Sequence, residues 1–381
     1  MSAILFIKVL LGFVLLVAGA EIMVRAASEL ASRFGIPPVV IGLTVVAFGT
    51  SAPELAIAIK SALDGQADIA MGNVVGSNIL NILLILGLAG MITPLIVGSR
   101  IVRADVPILI GASLFLFWFA IDGHISLLDG AILFAGSIVY TVYAIFTSRR
   151  ETFATSLAET EIENSSYSEN GEKAISDTLA DDNDVPKIRH PALSLLLVLV
   201  GLAMLVTGAN ILVNSAVVIA RWLGVSELLI GLTVISIGTS LPEIATTVVA
   251  AFRGLRDMAV GNVVGSCLFN ILAVTGAAAV FAPSGLSVDL ALVRFDLPVM
   301  LAATIACLPI FATGHLIARW EGALFFAYYM AYTTYIIVAS HSQESVELMH
   351  TAMLSFVIPL TFITLCLLWL REIRKKRKSN K

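Results

Sequence analysis

Two glutamates, Glu54 and Glu243, stand inside long apolar segments, each at the end of a Gly-Thr-Ser-x-Pro-Glu run: GTSAPE at 49–54 and GTSLPE at 238–243. A carboxylate at a membrane helix centre costs about 2.5–3.5 kcal/mol on insertion scales, so it marks an ion path or a proton relay. Each run is followed at the same spacing by a second polar segment, GNVVGSNILN at 72–81 and GNVVGSCLFN at 261–270. These add Ser77, Ser266, Asn73, Asn262, Asn81 and Asn270, all neutral oxygen donors. Pro53 and Pro242 remove a backbone donor, and Gly49 and Gly238 loosen the helix. Carbonyls around Ala47–Thr50 and Ser236–Thr239 are then expected to be available to a cation. Irregular backbone at that depth is tolerated only where it lines a polar cavity.

Positioning these groups falls to membrane helices. Hydrophobic residues make up 58% of the chain and charged residues 13%, against about a quarter charged in a soluble domain. Apolar runs of about 20 residues, long enough to cross a bilayer, are read at 3–24, 37–60, 68–92, 105–121, 127–147, 192–213, 226–251, 257–282, 296–313, 319–340 and 351–370. The first has no small-residue cleavage site and is taken as a true span. Glu54 lies 11 residues before the turn near Gly65, roughly 16 Å at 1.5 Å per residue, which is about half of a ~30 Å core. Equivalent arithmetic puts Asn81, Glu243 and Asn270 near the midplane. With the N-terminus outside, 19 of the 23 basic residues become cytoplasmic, including the tail REIRKKRKSNK, as the positive-inside rule requires.

Internal repetition organises the chain. Residues 42–83 and 231–272 align without a gap and agree at 23 of 42 positions. The likeness extends to Gly12/Gly201, Gly19/Gly208, RADVP at 103–107 with RFDLP at 294–298, and Gly123-His124 with Gly314-His315. The expected fold class is an all-α polytopic membrane protein: two five-helix repeats of inverted topology plus one extra C-terminal transmembrane helix. Five is odd, so the second copy enters from the opposite side, and duplicated broken hydrophobic segments point to a transporter's binding site. Boundaries fall at 1–147 for the first repeat, 148–190 for an acidic cytoplasmic linker, 191–340 for the second repeat, and 341–381 for the eleventh helix with its basic tail. The linker is polar and should be loosely ordered; DDND at 181–184 lacks the glycine and terminal glutamate of an EF-hand loop. Cys267, Cys307 and Cys366 fall in spans and read as packing residues.

The donors at the repeated motif are hard oxygens, with no histidine or cysteine positioned among them as a ligand, which disfavours zinc and copper. Two glutamates and the carbonyls of Thr50 and Thr239 reach the six to eight oxygens calcium accepts, whereas magnesium keeps its water. Sodium fits the same oxygens. Competition for shared ligands is a physical basis for exchange, since one ion must leave before the other binds.

At these residues the chain resembles the sodium/calcium exchanger branch of the cation/calcium antiporters, whose two alpha-repeats GTSAPE/GNVVGSNILN and GTSLPE/GNVVGSCLFN are similar to. That resemblance implies a ten-helix core and alternating access by sliding of the first and sixth helices. It implies Glu54 and Glu243 as shared calcium and sodium ligands, with carbonyls of Thr50 and Thr239 on calcium. Ala47, Ser51 and Ser77 would line an inner sodium site, and Ser236, Ser240 and Ser266 an outer one, with Asn81 and Asn270 flanking the centre. Many relatives carry aspartate where this chain has Asn270. The departure leaves two carboxylates, bears on ion stoichiometry and argues against potassium co-transport.

The leading expectation is a secondary antiporter exchanging sodium for calcium in the plasma (inner) membrane. Exchange of calcium or another divalent ion against protons on the same fold is the alternative. An intramembrane acid/base enzyme would need an aspartyl dyad or a nucleophile with its base, and neither is found, so no enzymatic activity is expected. A channel suits paired inverted repeats poorly. No cofactor, nucleic acid or obligatory protein partner is implied; the partners are calcium and sodium ions and the lipid bilayer.

Overall fold

The structure, a computed structural model, describes residues 3–34, 36–167, 191–223 and 236–339. The expected eleventh span at 351–370, the later part of the linker and the start of the seventh span lie outside the described residues. The first half comprises α1 (Ala3–Arg33), the pair α2 (Pro38–Thr50) and α3 (Ala52–Leu63), α4 (Ala67–Ile92), α5 (Ile101–Ala120) and α6 (Leu127–Tyr167). The second comprises α7 (Pro191–Trp222), α8 (Ser236–Thr239), α9 (Leu241–Phe252), α10 (Arg256–Phe281), α11 (Leu292–Ala312) and α12 (Arg319–Ala339). Among the described residues, seven helices are long and apolar enough to cross a membrane, eight if α2 and α3 form one bent span. One expectation is corrected. α6 continues as helix through Tyr167, into the segment read as loosely ordered, because residues 148–170 contain no glycine or proline to stop it.

Burial divides the helices into a centre and a flank. α10 is 89% buried and α4 72%, whereas α1 and α7 are 22% and 28% buried over their most apolar stretches. α4 and α10 therefore form the interior, and α3 and α9 join them as the hairpins α3–α4 and α9–α10. Each turns through a glycine in the left-handed region, Gly65 (φ 72°) and Gly254 (φ 77°), a conformation that costs glycine least. On the flank, α1 and α7 cross backbone to backbone. A carbon added at Gly19 would lie 2.8 Å from the Gly201 carbonyl oxygen, and one at Gly208 2.8 Å from that of Gly12. The crossed order of these pairs makes the two helices antiparallel, as inversion of the second repeat demands.

The same exchange recurs elsewhere. Gly87 of α4 meets Gly322 of α12, and its counterpart Gly276 of α10 meets Gly130 of α6. Among the described residues outside the helices are four two-residue strands: β1 (Leu95–Ile96), β2 (His124–Ile125), β3 (Leu286–Ser287) and β4 (Leu316–Ile317). β1 pairs antiparallel with β4, and β2 with β3, so each ladder joins one half to the other. α5 and α11 both open on a π-helical turn, Ile101–Asp105 and Leu292–Asp296. Pro107 and Pro298 follow, and the wider turn accommodates the missing amides.

Candidate ion-binding site

The breaks preceding the two glutamates have the same geometry. α2 and α3 meet at Ser51 with a bend of 45°. Ser51 adopts φ −86°, ψ 8° and Ser240 adopts φ −91°, ψ 9°, both outside the helical basin. Pro53 and Pro242 follow within the first turn, where a missing N–H costs nothing. Glu54 and Glu243 thus occupy the first turns of α3 and α9, where the helix dipole and unpaired amides favour a negative charge. A mid-membrane helix break becomes an electrostatic seat for a carboxylate.

Each carboxylate is held by the other half. The Ser51 hydroxyl donates to Glu243 Oε1 at 2.9 Å, and the Ser240 hydroxyl donates to Glu54 Oε1 at 3.2 Å. Ser240 Oγ also lies 3.3 Å from Ser77 Oγ. The side chains of Thr50 and Thr239 flank the opposite glutamates, Glu243 and Glu54 respectively. Glu54, Glu243, Thr50, Ser51 and Ser240 have no exposed surface, and Ser77 only 1%. The two carboxylates are within electrostatic reach of one another, yet Oε2 of each has no hydrogen-bond partner of normal geometry among the described residues. Like charges buried together are costly unless cations or protons neutralise them. The donor set fits a hard cation shared between the two.

The remaining expected residues are distributed around this centre. Asn81 and Asn270 are buried; the Asn81 side chain lies against Cys267, and the Asn270 amide has no hydrogen-bond partner among the described residues. They lie in the π-helical turns Leu80–Ile85 and Asn270–Val274, which pack crosswise: the first on α9, the second on α3. Ser266 is buried, and its hydroxyl has no partner among the described residues. Ala47 differs from the expectation of a coordinating carbonyl. Its oxygen accepts the Ser51 amide at 3.0 Å and the Thr50 hydroxyl at 3.3 Å, because α-helical geometry resumes over Ala47–Thr50 after the π-helical turn Gly42–Val46. Ser236 begins α8. Among the described residues no three His, Cys, Asp or Glu side chains come together, so two carboxylates and neutral oxygens are what this centre offers.

Sequence reasoning missed Thr246 and Thr247. Both are buried on α9, and both oxygens accept from Asn262 Nδ2, at 3.1 and 2.9 Å. Their signal was present as two hydroxyls one turn beyond Glu243, where the first half has Ile57 and Ala58. Asn73 and Asn262, expected to act alike, do not: the Asn73 amide donates to the Glu54 carbonyl at 3.5 Å.

Comparison with known proteins bears on the family and the fold. The family model described as sodium/calcium exchanger protein matches residues 4–146 and 193–338. The sodium/calcium exchanger MaX1 of Methanosarcina acetivorans is 33% identical over 340 residues, covering 86% of this chain and 97% of the relative. Inner membrane protein YrbG of Escherichia coli is 34% identical over 298 residues, 78% of this chain and 85% of the relative. A solved structure of the sodium-calcium exchanger NCX_Mj, soaked with zero Na+ and Ca2+, superposes with a TM-score of 0.71 at 29% identity, covering 90% of this chain and 100% of that one. This integral membrane chain, with its two interlocked and inverted halves, belongs to the sodium/calcium exchanger protein family.

Proposed function

We propose that the protein is a secondary antiporter that moves calcium against sodium by alternating access, with Glu54 and Glu243 as the ligands both ions share. The observation that carries this reading is the reciprocal seat of the two glutamates. Each lies at a helix break, is bonded by a serine of the opposite half, and keeps one carboxylate oxygen without a hydrogen-bond partner of normal geometry among the described residues. A site of charge −2 matches one calcium ion, and flexible six-to-eight oxygen coordination suits it better than the octahedron magnesium demands. Sodium takes the same carboxylates with neutral oxygens of Ser51 and Ser77 on one side and of Ser240, Ser266 and Ser236 on the other. Carbonyls of Thr50 and Thr239 complete the calcium shell, and Asn81 and Asn270 flank it. Ala47 contributes its carbonyl to sodium only if the Ser51 or Thr50 bond to it opens.

The excess of Lys and Arg sets the N-terminus outside and the basic tail in the cytoplasm of the inner (plasma) membrane. Arg253 and Arg25 both contact Glu21, and this cluster is then cytoplasmic. Calcium-45 uptake into sodium-loaded proteoliposomes tests the function. Uptake that requires an outward sodium gradient supports it. Uptake indifferent to sodium and driven by a pH gradient replaces it with calcium/proton exchange.

A further inference from the structure

The two hairpins are held to their glutamates by different chemistry. In the second half, Asn262 of α10 donates through Nδ2 to Thr246 Oγ1 at 3.1 Å and to Thr247 Oγ1 at 2.9 Å. Thr246 Oγ1 in turn lies 2.8 Å from the Pro242 carbonyl oxygen and 3.2 Å from that of Glu243. A chain of bonds therefore runs from α10, through one hydroxyl, to the backbone of the turn that carries the carboxylate. All three side chains are at most 2% exposed, so water does not compete for these bonds. In the first half the threonines are replaced by Ile57 and Ala58. There the equivalent amide, Asn73, reaches the Glu54 carbonyl directly at 3.5 Å, at the edge of hydrogen-bond range.

We infer that Asn262 and Thr246 form a positioning relay for Glu243 that Glu54 lacks, making Glu243 the fixed jaw of the ion site and Glu54 the adaptable one. A threonine bonded back to the carbonyl one turn earlier bends its helix. Here that bend is pinned from outside by Asn262, which fixes the angle of the first turn of α9 and so the direction in which Glu243 meets Ser51. The relay touches backbone and not ion. Its loss is felt in affinity, as misplacement of one ligand, and not in the folding of the hairpin. The inference rests on reading Glu243 as an ion ligand.

The test compares wild type with Thr246→Val, Thr246→Ser and Asn262→Ala in calcium-45 uptake by sodium-loaded proteoliposomes, with calcium protection against thermal unfolding measured in detergent on the same proteins. Valine keeps the threonine shape and removes the hydroxyl; serine keeps the hydroxyl and removes the methyl. Thr246→Val and Asn262→Ala should each raise KM for calcium about tenfold with maximal rate within about twofold. Thr246→Ser should behave as wild type, and the double variant Thr246→Val/Asn262→Ala should be no worse than either single one, because both break one chain. A wild-type KM in Thr246→Val, an equal loss in the serine and valine variants, or additive effects in the double variant would overturn the relay. If wild-type uptake ignores sodium while calcium still protects, the exchange reading fails and the thermal shifts decide the relay alone. Absence of both uptake and protection in the wild type would remove Glu243 as an ion ligand, and the relay with it.

Discussion

The two five-helix halves agree at the ion site and differ in what surrounds it. Ser51/Ser240, Pro53/Pro242, Glu54/Glu243, Asn81/Asn270 and Gly65/Gly254 occupy matching places, and each serine bonds the glutamate of the opposite half. Away from these positions the likeness lapses. Arg100 donates to the Ala144 carbonyl at 2.9 Å and lies 3.6 Å from buried Asp105, which accepts from Tyr140 at 3.1 Å. In the second half Asp296 accepts from Tyr332 at 2.8 Å, but Ala291 stands where the arginine would be. Arg253 and Glu21 pair across α9 and α1, whereas their counterparts are Asp64 and Asn210. On the proposed reading, symmetry is kept where two half-sites present equal ligands to one ion, and is dropped where each half faces a different side of the membrane.

The comparison can be broken most forcefully at the carboxylates. Glu54→Gln and Glu243→Gln should each cut sodium-dependent calcium uptake by more than 100-fold, since a buried ligand charge is worth several kcal/mol and each 1.4 kcal/mol is tenfold. An effect confined to one glutamate would end the equivalence of the halves. Ser51→Ala and Ser240→Ala should each raise KM for calcium roughly tenfold or more, as loss of a hydrogen bond to a charged group costs about 1.5–3 kcal/mol. Near-equal losses would confirm the crosswise holding of each carboxylate by the other half.

Smaller effects belong to packing and surface charge. Gly201→Ala places a carbon 2.8 Å from the Gly19 carbonyl oxygen and should destabilise the protein by about 1–3 kcal/mol, read as a lower Tm in detergent. Gly72→Ala, with nothing described within 4 Å of the added carbon, should leave Tm nearly unchanged, which sharpens the contrast between crossing and non-crossing glycines. Glu21→Gln should cost less than about 1 kcal/mol, and raising the salt should erase even that, because Glu21, Arg25 and Arg253 are partly exposed and exposed ion pairs are weak and screened.

Much of this was legible in residue order. Pro53 and Pro242 marked the helix breaks, because a ring without an amide cannot continue a helix turn. The repeated Gly-Thr-Ser and Asn positions marked the candidate site, because such groups are expensive in an apolar span unless used. Other features carried no such signature. The Thr246–Asn262 relay looks like two ordinary hydroxyls in an apolar helix until α10 is laid beside α9. The four short strands are too brief to announce themselves, since their pairing depends on partners about 160 to 220 residues away. The helical run of α6 through Tyr167 was masked by its polarity, which says nothing against helix where no glycine or proline intervenes.

The sequence by itself determined the membrane class, the duplication, the inversion and the placing of two carboxylates at matching helix breaks. Those follow from hydropathy, from an odd number of spans per repeat, and from the energy of burying charge, all properties of local composition and order. Only the tertiary structure decided that Ser51 serves Glu243 while Ser240 serves Glu54, that the halves exchange their glycine crossings and strands, and that one glutamate is braced by a relay the other lacks. Contacts between residues 186 and 192 positions apart depend on how two helix hairpins cross, and the crossing is set by shape complementarity between their surfaces, which neither repeat specifies alone.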